Sequence, residues 1–406
     1  MSSKYDALVA REKKVLCQTY GRYPLAIEKA LGARMIDVDG KEYVDLLAGI
    51  AVANLGHSHP ELLEVMADQA RELLHVSNLF YQPRQVELAE ILLSTCACDR
   101  VFFCNSGAEA NEAAIKLARR YMRTVRYKDA GEIITLTGSF HGRTLATLTA
   151  TGQSGRIKEG FEPLPAGFTI VPFGDIEALK AAVTQKTAAV LIEMVQGEGG
   201  VLPLSEDYAR QVQELCQETG CLFMVDEVQT GLCRTGKFWA HQHYGLTPDV
   251  FTTSKALANG LPMGAMLAKE HVAKGFAPGA HATTFGGGGV LSAVAAKVIE
   301  IMKRDDIAGR ARDLGLIAKD AFRKVQARHP ERINTVRGLG LMIGIELSAP
   351  GEKVHAELRD RGFVCNLAHG KVLRLLPPLV IDAEDLLAFA TALDDILSSD
   401  NAATTS

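Results

Sequence analysis

Two apolar segments of the chain each end in side chains that could do chemistry. Cys221–Val225 is followed directly by Asp226 and Glu227. Val250–Thr253 is followed, one residue later, by Lys255. Segments of this length and composition predict buried strands, and α/β folds bind ligands at the carboxyl ends of parallel strands. We therefore expect the carboxylates and the amine to share one edge of a sheet.

Several chemistries are open to this pair of groups. Asp226 could hold a metal ion, a ribose hydroxyl or a protonated ring nitrogen, or it could cap the helix after its strand. Lys255 follows a buried strand and small hydroxyl residues, which predicts a desolvated amine with the lowered pKa that Schiff-base chemistry requires. The two groups together favour pyridoxal 5'-phosphate (PLP), because a carboxylate keeps the pyridine nitrogen protonated and lets the ring accept electrons.

A phosphate site for this cofactor is predicted near residue 106. Phe102–Asn105 is typical of a strand end, and Ser106 with Glu109 has the spacing of a capping box before an amphipathic helix. Gly107 leaves room for close approach of the backbone. The N-terminus of such a helix binds phosphate through its free N–H groups and the helix dipole. A plain capped helix has the same sequence pattern.

Further groups for a ligand follow the strand-like segment at residues 132–136. Phe140 could stack on a flat ring, and Arg143 offers a planar fork for a substrate carboxylate. His141 is interpreted as a structural histidine. The glycine-rich segments 196–200 and 284–289 predict loops where the backbone approaches a neighbouring group closely.

The elements that position these residues predict an α/β fold with a mainly parallel central sheet, because strand-like and helical segments alternate along the chain. An Asp-Gly pair at residues 39–40 predicts an early hairpin. We predict a large domain over residues 47–289 and a small α+β domain formed by residues 1–46 and 290–406. The predicted strands are Glu132–Leu136, Ala188–Ile192, Ile333–Val336, Met342–Leu347 and Val372–Leu375, and the predicted helices are Asp207–Glu218, Leu291–Lys303, Ile307–Ala327, Lys353–Arg361 and Ala383–Ser398.

Composition excludes several classes of function. The 406 residues carry 44 basic and 48 acidic side chains, a net charge of -4 that gives no electrostatic footprint for nucleic acid or an anionic membrane. No apolar segment has the length of a membrane span, and the first residues lack the core of a signal peptide. The eight cysteines include no Cys-x-x-Cys pair, which argues against a metal site, and they are too few for a disulfide framework in a chain of 406 residues. We expect a cytoplasmic protein without a structural metal.

Taken together, these motifs resemble the class-III, fold-type-I PLP aminotransferases and, within them, the acetylornithine aminotransferases. The similarity runs nearly end to end. The segments that carry it are 49–52, 55–60, 106–112, 140–144, 196–200, 226–231, 338–346 and 373–379, together with Lys255. The sequence departs from the family pattern at Gly288-Gly289, at Met194-Val195 and in the loop 367–370.

The resemblance implies a role for each candidate residue. Lys255 would hold PLP as a Schiff base and shuttle the proton, and Asp226 would pair with the ring nitrogen. Arg143, with Thr283 nearby, would bind a carboxylate of the donor, and Arg374 would bind a carboxylate of the other substrate. Glu198 would mask that arginine. The remaining cofactor contacts would come from Gly107, Ala108, Phe140, Glu227, Val228, Gln229 and, across a homodimer, Thr284 of the neighbouring subunit.

The implied reaction is a ping-pong transfer of the δ-amino group of N2-acetylornithine to 2-oxoglutarate, which gives N-acetylglutamate 5-semialdehyde and glutamate in arginine biosynthesis. Related ω-amino donors are the alternative: succinylornithine, N-succinyl-diaminopimelate, ornithine and 4-aminobutyrate. A PLP racemase or aminomutase and a catalytically silent relative are further alternatives. A nucleotide-binding oxidoreductase is disfavoured, because the third glycine after Gly338 and Gly340 is Gly344, one place too far for the dinucleotide motif.

Overall fold

The computed structural model describes the backbone of residues 3–404 and the side chains of residues 4–399. Residues 1, 2, 405 and 406 of the predicted small domain lie outside this range. The strands are β1 Ile27–Leu31, β2 Arg34–Asp37, β3 Glu42–Asp45, β4 Arg100–Cys104, β5 Glu132–Leu136, β6 Phe168–Val171, β7 Thr187–Ile192, β8 Val195–Gln196, β9 Leu202–Pro203, β10 Leu222–Asp226, β11 Val250–Thr253, β12 Gly264–Ala268, β13 Ile333–Leu339, β14 Met342–Leu347, β15 Phe363–Val364, β16 Asn366–Ala368 and β17 Val372–Leu375.

The α-helices alternate with these strands over most of the chain. They are α1 Ser3–Val15, α2 Ala48–Ala51, α3 Pro60–Glu72, α4 Pro83–Leu93, α5 Gly107–Thr124, α6 Leu145–Ala150, α7 Ile176–Ala182, α8 Glu206–Thr219, α9 Glu270–Ala273, α10 Gly289–Arg304, α11 Ile307–Arg328, α12 Glu352–Asp360 and α13 Ala383–Thr404. Short 3-10 turns occupy Gly155–Ile157, Ala240–His243 and Lys255–Ala258.

The central sheet, as far as the described residues show it, has seven strands in the order β4-β12-β11-β10-β7-β5-β6. Neighbouring strands from β11 to β6 are parallel, whereas β12 is antiparallel to both β11 and β4. The carboxyl ends of β4, β7, β10 and β11 therefore meet at one edge. The amino end of β12, at Gly264, reaches the same edge because Gly264 pairs with Cys104.

Alternation along the strands explains why helices cover both faces of this sheet. In β10, Leu222 and Met224 join the apolar cluster that contains the buried face of α5. Phe223 and Val225 join the larger cluster that contains α8. Side chains of successive strand residues point to opposite faces, so an almost wholly apolar strand requires cover on both sides.

Both ends of the chain meet in smaller sheets. Strand β15 pairs in parallel with β3, with Phe363 opposite Val44, and extends the N-terminal hairpin of β2 and β3. Strands β13, β14, β17 and β16 form an antiparallel sheet, which is covered by α11, and α13 packs against α11 and α12. The Arg34 guanidinium lies 2.7 Å from the Asp385 carboxylate and joins the hairpin to α13.

The predicted elements occur where the sequence placed them, with shifts mostly at their ends. Helix α13 continues to Thr404 instead of ending at Ser398, and β13 extends to Leu339. Helix α10 packs against α3, α4 and the turn that begins at Lys255, so the proposed domain boundary near residue 290 separates elements in contact. The boundaries at residues 46 and 290 stay a prediction. No helix within residues 3–404 is both long and apolar enough to cross a membrane.

Candidate active site

Lys255 lies at the edge of the central sheet, directly after β11 and Ser254. Its backbone has a φ of 45°, in the left-handed region that non-glycine residues rarely occupy. Such conformations persist where surrounding structure enforces them, and they concentrate at functional sites. Burial lowers the pKa of the Lys255 amine to about 8, although the Glu198 carboxylate opposes this shift. A larger fraction of this amine is therefore uncharged near neutral pH than of a lysine in water.

The carboxylate of Asp226 is held in place by donors from three segments. One oxygen, Oδ1, accepts a hydrogen bond from the Val228 N–H at 3.0 Å. The other, Oδ2, accepts from Asn111 Nδ2 at 2.7 Å and lies 2.8 Å from His141 Nδ1. The Val228 contact closes a local turn, but no helix begins there, so the interpretation of Asp226 as a helix cap is wrong. Asn111 and His141 come from distant segments, so the carboxylate is also part of a larger polar site.

Asn111 connects the elements around this carboxylate, and sequence reasoning did not single it out. Besides bonding Asp226, its amide donates to the His141 carbonyl at 2.8 Å and accepts from the Thr252 hydroxyl at 2.7 Å. It thereby joins α5, the segment after β5 and β11. The signal in the sequence was a polar residue on the otherwise apolar face of α5, next to Ala110. His141, interpreted as structural, is a direct neighbour of Asp226.

Glu193 is a second buried acid that the sequence analysis did not name. It follows β7 as Asp226 ends β10, and it accepts a hydrogen bond from the Phe140 N–H at 3.0 Å. Burial, and then the charge of Asp226, raises the pKa of Glu193 well above its usual value. The same pattern of a buried strand followed by an acid would have revealed it. Its carboxyl positions the segment that carries Phe140.

Arg374 and Glu198 form an ion pair beside Lys255. The Arg374 side chain is fully buried in β17, and its Nη1 lies 2.5 Å from Glu198 Oε1. Arg374 Nε also donates to Asn366 Oδ1 at 3.1 Å. Burial alone would raise the pKa of Glu198, but the charge and the hydrogen bond of Arg374 outweigh it and lower that pKa. The pair also acts electrostatically on Lys255.

The predicted phosphate site has a tight backbone geometry. Ser106 caps α5 by accepting from the Glu109 N–H at 3.2 Å. A Cβ atom on Gly107 would lie 2.6 Å from Val228 Cγ1, so only glycine fits at this first position of the helix. The predicted capping box does not form in full. The Glu109 carboxylate accepts from the Asn105 N–H at 2.6 Å and not from the N–H of Ser106.

Two other predicted ligand residues lie together after β5. The Arg143 guanidinium carbon is 5.5 Å from the centroid of the Phe140 ring, a cation–π arrangement. Arg143 is exposed and Phe140 half-buried. Ala108 approaches this segment too, since its Cβ would lie 2.8 Å from a Cβ on Gly142.

Some predicted residues have other partners. The buried Glu227 carboxylate accepts from Thr230 and from the N–H of His241, so direct cofactor contact by this side chain is not supported. Thr283 accepts from Asn105 Nδ2 at 3.2 Å, which places it beside the phosphate loop. Its predicted position beside Arg143 is not borne out by any contact among the described residues.

Gln229 and Thr284 differ in how they are placed. The Gln229 Oε1 atom is buried and has no hydrogen-bond partner among the described residues. Such an atom is costly unless a ligand or water completes its bonding. Thr284 lies exposed on a surface loop of this chain.

The combined donor set fits the predicted cofactor. PLP brings an aldehyde, a ring nitrogen, a ring hydroxyl and a phosphate. The site has an amine of lowered pKa at Lys255, a fixed carboxylate at Asp226, an unpartnered amide oxygen at Gln229 and the N-terminus of an 18-residue helix at Gly107. Each group matches one of these features by charge or hydrogen-bonding capacity.

Known proteins share this sequence and fold. The sequence pattern of the family described as aminotransferase class-III matches residues 16–397. The chain is 44% identical over 391 residues to the acetylornithine aminotransferase of Methanocaldococcus jannaschii. The aligned region covers 95% of this chain and 97% of that protein.

Solved structures agree. The ornithine aminotransferase of Toxoplasma gondii ME49 matches with a TM-score of 0.94 and 30% identity, over 99% of this chain and 96% of that one. The acetylornithine aminotransferase of Elizabethkingia anophelis matches with a TM-score of 0.87 and 31% identity, over 97% and 99%. These similarities confirm the predicted fold-type-I α/β architecture. Because both the family pattern and the relatives span nearly the whole chain, the protein belongs to the class-III aminotransferase family.

Proposed function

We propose that this aminotransferase uses PLP to transfer the δ-amino group of N2-acetylornithine to 2-oxoglutarate. The observation that carries the proposal is the buried Lys255 amine, which interacts electrostatically with the Arg374–Glu198 ion pair and with the Asp226 carboxylate. The donor is supported by the 44% identity to a relative named acetylornithine aminotransferase. The products would be N-acetylglutamate 5-semialdehyde and glutamate, a step of arginine biosynthesis.

In this proposal each residue of the site has a defined task toward PLP. When bound, the cofactor supplies an electron sink for the carbon that loses its proton. Lys255 holds the cofactor covalently, Asp226 keeps the ring nitrogen protonated, and Val228 and Phe140 enclose the ring. The N–H groups of Gly107 and Ala108 bind the phosphate, with Thr284 of a neighbouring subunit. Gln229 completes the bonding of the ring hydroxyl.

Lys255 is also the proposed acid and base. Once its amine is free, it removes the proton from the substrate carbon that carries the departing amino group and returns a proton in the following step. A pKa of about 8 suits both directions, because a group that titrates near the working pH exchanges protons most effectively.

Two arginines give the site its substrate preference. Arg143 binds the carboxylate of N2-acetylornithine, and its planar fork suits a bidentate contact. Arg374 binds a carboxylate of 2-oxoglutarate after Glu198 has left it. While the donor is bound, Glu198 neutralises Arg374, so a donor without a second carboxylate leaves no buried charge unpaired.

The substrate is tested by measuring kcat/KM for a panel of donors with 2-oxoglutarate. The panel contains N2-acetylornithine, N2-succinylornithine, N-succinyl-diaminopimelate, ornithine and 4-aminobutyrate. We expect an N-acylated ornithine to give the highest value. A preference for 4-aminobutyrate would overturn the assignment, and an isomer formed without amino transfer would indicate a racemase or aminomutase.

The cofactor is tested separately from the substrate. The purified protein should absorb at roughly 410–430 nm, as PLP bound to a lysine does. Borohydride should bleach this band, and peptide mass spectrometry should find the pyridoxyl label on Lys255. A Lys255→Ala variant that still transfers amino groups would contradict the proposal.

We also propose a homodimer, supported by an exposed apolar surface next to Thr284. This surface consists of Leu74, Leu79, Phe80, Tyr81 and Phe285, each more than half exposed. Asn78 joins its two parts by donating to the carbonyls of Thr283 and Gly286 at 3.1 Å. Exposed apolar surfaces of this kind are typical of association sites.

The dimer is tested by sedimentation of a Tyr81→Asp variant. A charge in the apolar surface should give a monomer that has lost most of its activity, because Thr284 no longer reaches a neighbouring site. The matched control is Leu316→Asp, at an exposed position of α11, which should stay dimeric and active. A Tyr81→Asp monomer with full activity would separate dimerisation from function.

Within the described residues, the eight cysteines are free thiols, which supports a proposed cytoplasmic location.

A further inference from the structure

The loop that carries Glu198 is attached by its backbone to the sheet that contains Arg374. His369 Nε2 donates a hydrogen bond to the Glu198 carbonyl at 2.5 Å. Arg337 Nη2 donates to the Gly200 carbonyl at 2.8 Å, and Arg337 Nε donates to the Val201 carbonyl at 3.0 Å. The loop is therefore held at two points in addition to the ion pair between Glu198 and Arg374.

His369 differs from an ordinary surface histidine. It lies in the loop between β16 and β17, with a φ of 49°. This left-handed conformation is uncommon outside glycine, asparagine, aspartate and histidine. The loop 367–370 is also one of the segments in which this sequence departs from the family pattern. In this loop conformation the His369 side chain reaches the backbone of Glu198, the residue that pairs with Arg374.

The two attachments differ in what they fix. Arg337 is also paired with the Glu346 carboxylate, and it holds the far end of the loop at Gly200 and Val201. His369 holds the peptide of Glu198 itself, the start of the side chain that reaches Arg374. With the backbone fixed there, the carboxylate needs only a favourable rotamer to reach the guanidinium. Fixing a group beforehand lowers the entropy lost when its contact forms.

We propose that His369 is a positioning residue that presets Glu198 on Arg374. Through this hydrogen bond it sets how strongly Glu198 competes with an incoming carboxylate for the arginine. The inference rests on the proposed function, in which Arg374 binds a carboxylate of 2-oxoglutarate. A stronger hold on Glu198 favours the monocarboxylate donor, and a weaker hold favours the dicarboxylate acceptor.

The test compares two variants of the holoenzyme, His369→Leu and His369→Gln. Glutamine presents a donor at nearly the reach of histidine Nε2, whereas leucine has none. Both replace histidine at the same positive φ, so the backbone cost is shared and the comparison isolates the hydrogen bond. The first measurement is the dissociation constant of glutarate, an unreactive dicarboxylate, by calorimetry.

In the His369→Leu variant we expect glutarate to bind about three- to tenfold more tightly, the equivalent of one hydrogen bond. The KM for 2-oxoglutarate should fall by a similar factor. The single-turnover rate at saturating N2-acetylornithine, followed by the cofactor absorbance, should change less than about twofold, because saturation removes the effect on donor affinity. His369→Gln should restore the wild-type values. Unchanged or weaker glutarate binding in His369→Leu, or a glutamine variant that behaves like leucine, would overturn the proposal.

The same substitution made in a Glu198→Ala variant separates positioning of Glu198 from a general effect on the fold. With Glu198→Ala there is no acid to preset, so adding His369→Leu should leave glutarate binding unchanged. An equal effect of His369→Leu in both backgrounds would overturn the positioning role. Failure of the proposed function would instead appear as a wild-type enzyme that prefers another donor, while the glutarate comparison stays informative.

Discussion

Lys255 combines a buried position with a charge that the protein must tolerate. Its pKa falls from 10.5 to about 8 because burial removes water from the ammonium. Between these two pH values the unfolded chain binds more protons than the cofactor-free native protein. Above about pH 10.5 the amine is neutral in both states, and burying it carries no charge penalty. As the pH falls from about 10.5 through about 8, the buried amine becomes charged and the free energy of unfolding decreases. The reactive amine is maintained at the expense of stability near neutral pH.

This linkage predicts the behaviour of a Lys255→Met variant without cofactor. At pH 7 we expect a gain of about 1–3 kcal/mol in the free energy of unfolding, because no buried ammonium remains. The gain should shrink as the pH rises toward 10. Urea unfolding of both proteins at pH 7 and at pH 10 measures this gain. Lys269→Met, at a lysine paired with Asp249, is the control and should show no such pH-dependent gain. An equal gain at both pH values would contradict the prediction.

The hydrogen bonds of Asn111 predict a defect in both stability and cofactor affinity. Asn111→Ala removes a donor from Asp226 and an acceptor from the buried Thr252 hydroxyl. We expect a loss of about 1–3 kcal/mol in the free energy of unfolding, together with weaker PLP binding measured by absorbance titration. Asn111→Asp should bind PLP more weakly still, since it places a second acid beside Asp226. Wild-type affinity in the alanine variant would show that Asp226 needs no such support.

At the scale of elements, the reversed strand β12 brings Gly264 against the phosphate loop. A Cβ atom on Gly264 would lie 2.4 Å from the Ser106 carbonyl oxygen. No side chain fits between these backbones, so the loop between β4 and α5 can pack directly against β12. The position of the proposed phosphate site therefore depends on a glycine outside the motif that would bind the phosphate.

We expect Gly264→Ala to displace this loop. The overlap should cost about 1–3 kcal/mol of stability, as overpacking in cores does, and should weaken PLP binding at least tenfold. PLP release upon dilution would measure the loss of affinity, and urea unfolding would measure the loss of stability. Gly21→Ala is the control, because a Cβ there meets nothing within 4 Å. A Gly264→Ala variant with normal PLP affinity would show that the loop adapts.

The elements also explain which parts of the site were predictable from sequence. The edge that carries Asp226 and Lys255 follows from two buried strands that end in polar groups, a local pattern. Asn111 depends on which face of α5 meets β10 and β11, and its partner Asp226 lies 115 residues away. No local pattern encodes that pairing. The Glu109 carboxylate bonds the N–H of Asn105 instead of that of Ser106. This choice depends on loop dihedral angles, which residue types do not determine.

At the scale of the whole molecule, Arg234 joins segments that lie far apart in the sequence. Its fully buried guanidinium donates to the Leu341 carbonyl at 3.1 Å and to the Pro377 carbonyl at 2.6 Å. It also bonds the Asn54 side chain. Burial lowers the pKa of Arg234 to about 9. Pro377 lies just after the strand that carries Arg374, so Arg234 connects the segment after β10 to the end of that strand.

Arg234→Met should therefore affect both stability and acceptor binding. We expect a loss of about 2–4 kcal/mol in the free energy of unfolding, since buried carbonyls lose their donor, and a higher KM for 2-oxoglutarate. Urea unfolding and steady-state kinetics measure these effects. Arg304→Met, which removes only surface ion pairs with Glu61 and Asp305, should have a far smaller effect. Unchanged KM in the Arg234 variant would limit its role to stability.

The pairing of β3 with β15 has a consequence for the order in which a ribosome can produce this fold. Val44 emerges early during translation, yet its partner Phe363 is synthesised near the end. The N-terminal hairpin must therefore wait, with one edge unpaired, until almost the whole polypeptide has left the exit tunnel. The central sheet uses only residues 100–268, so it can assemble first. The sheet edge that carries Asp226 and Lys255 can thus form well before the strand that carries Arg374 has been synthesised.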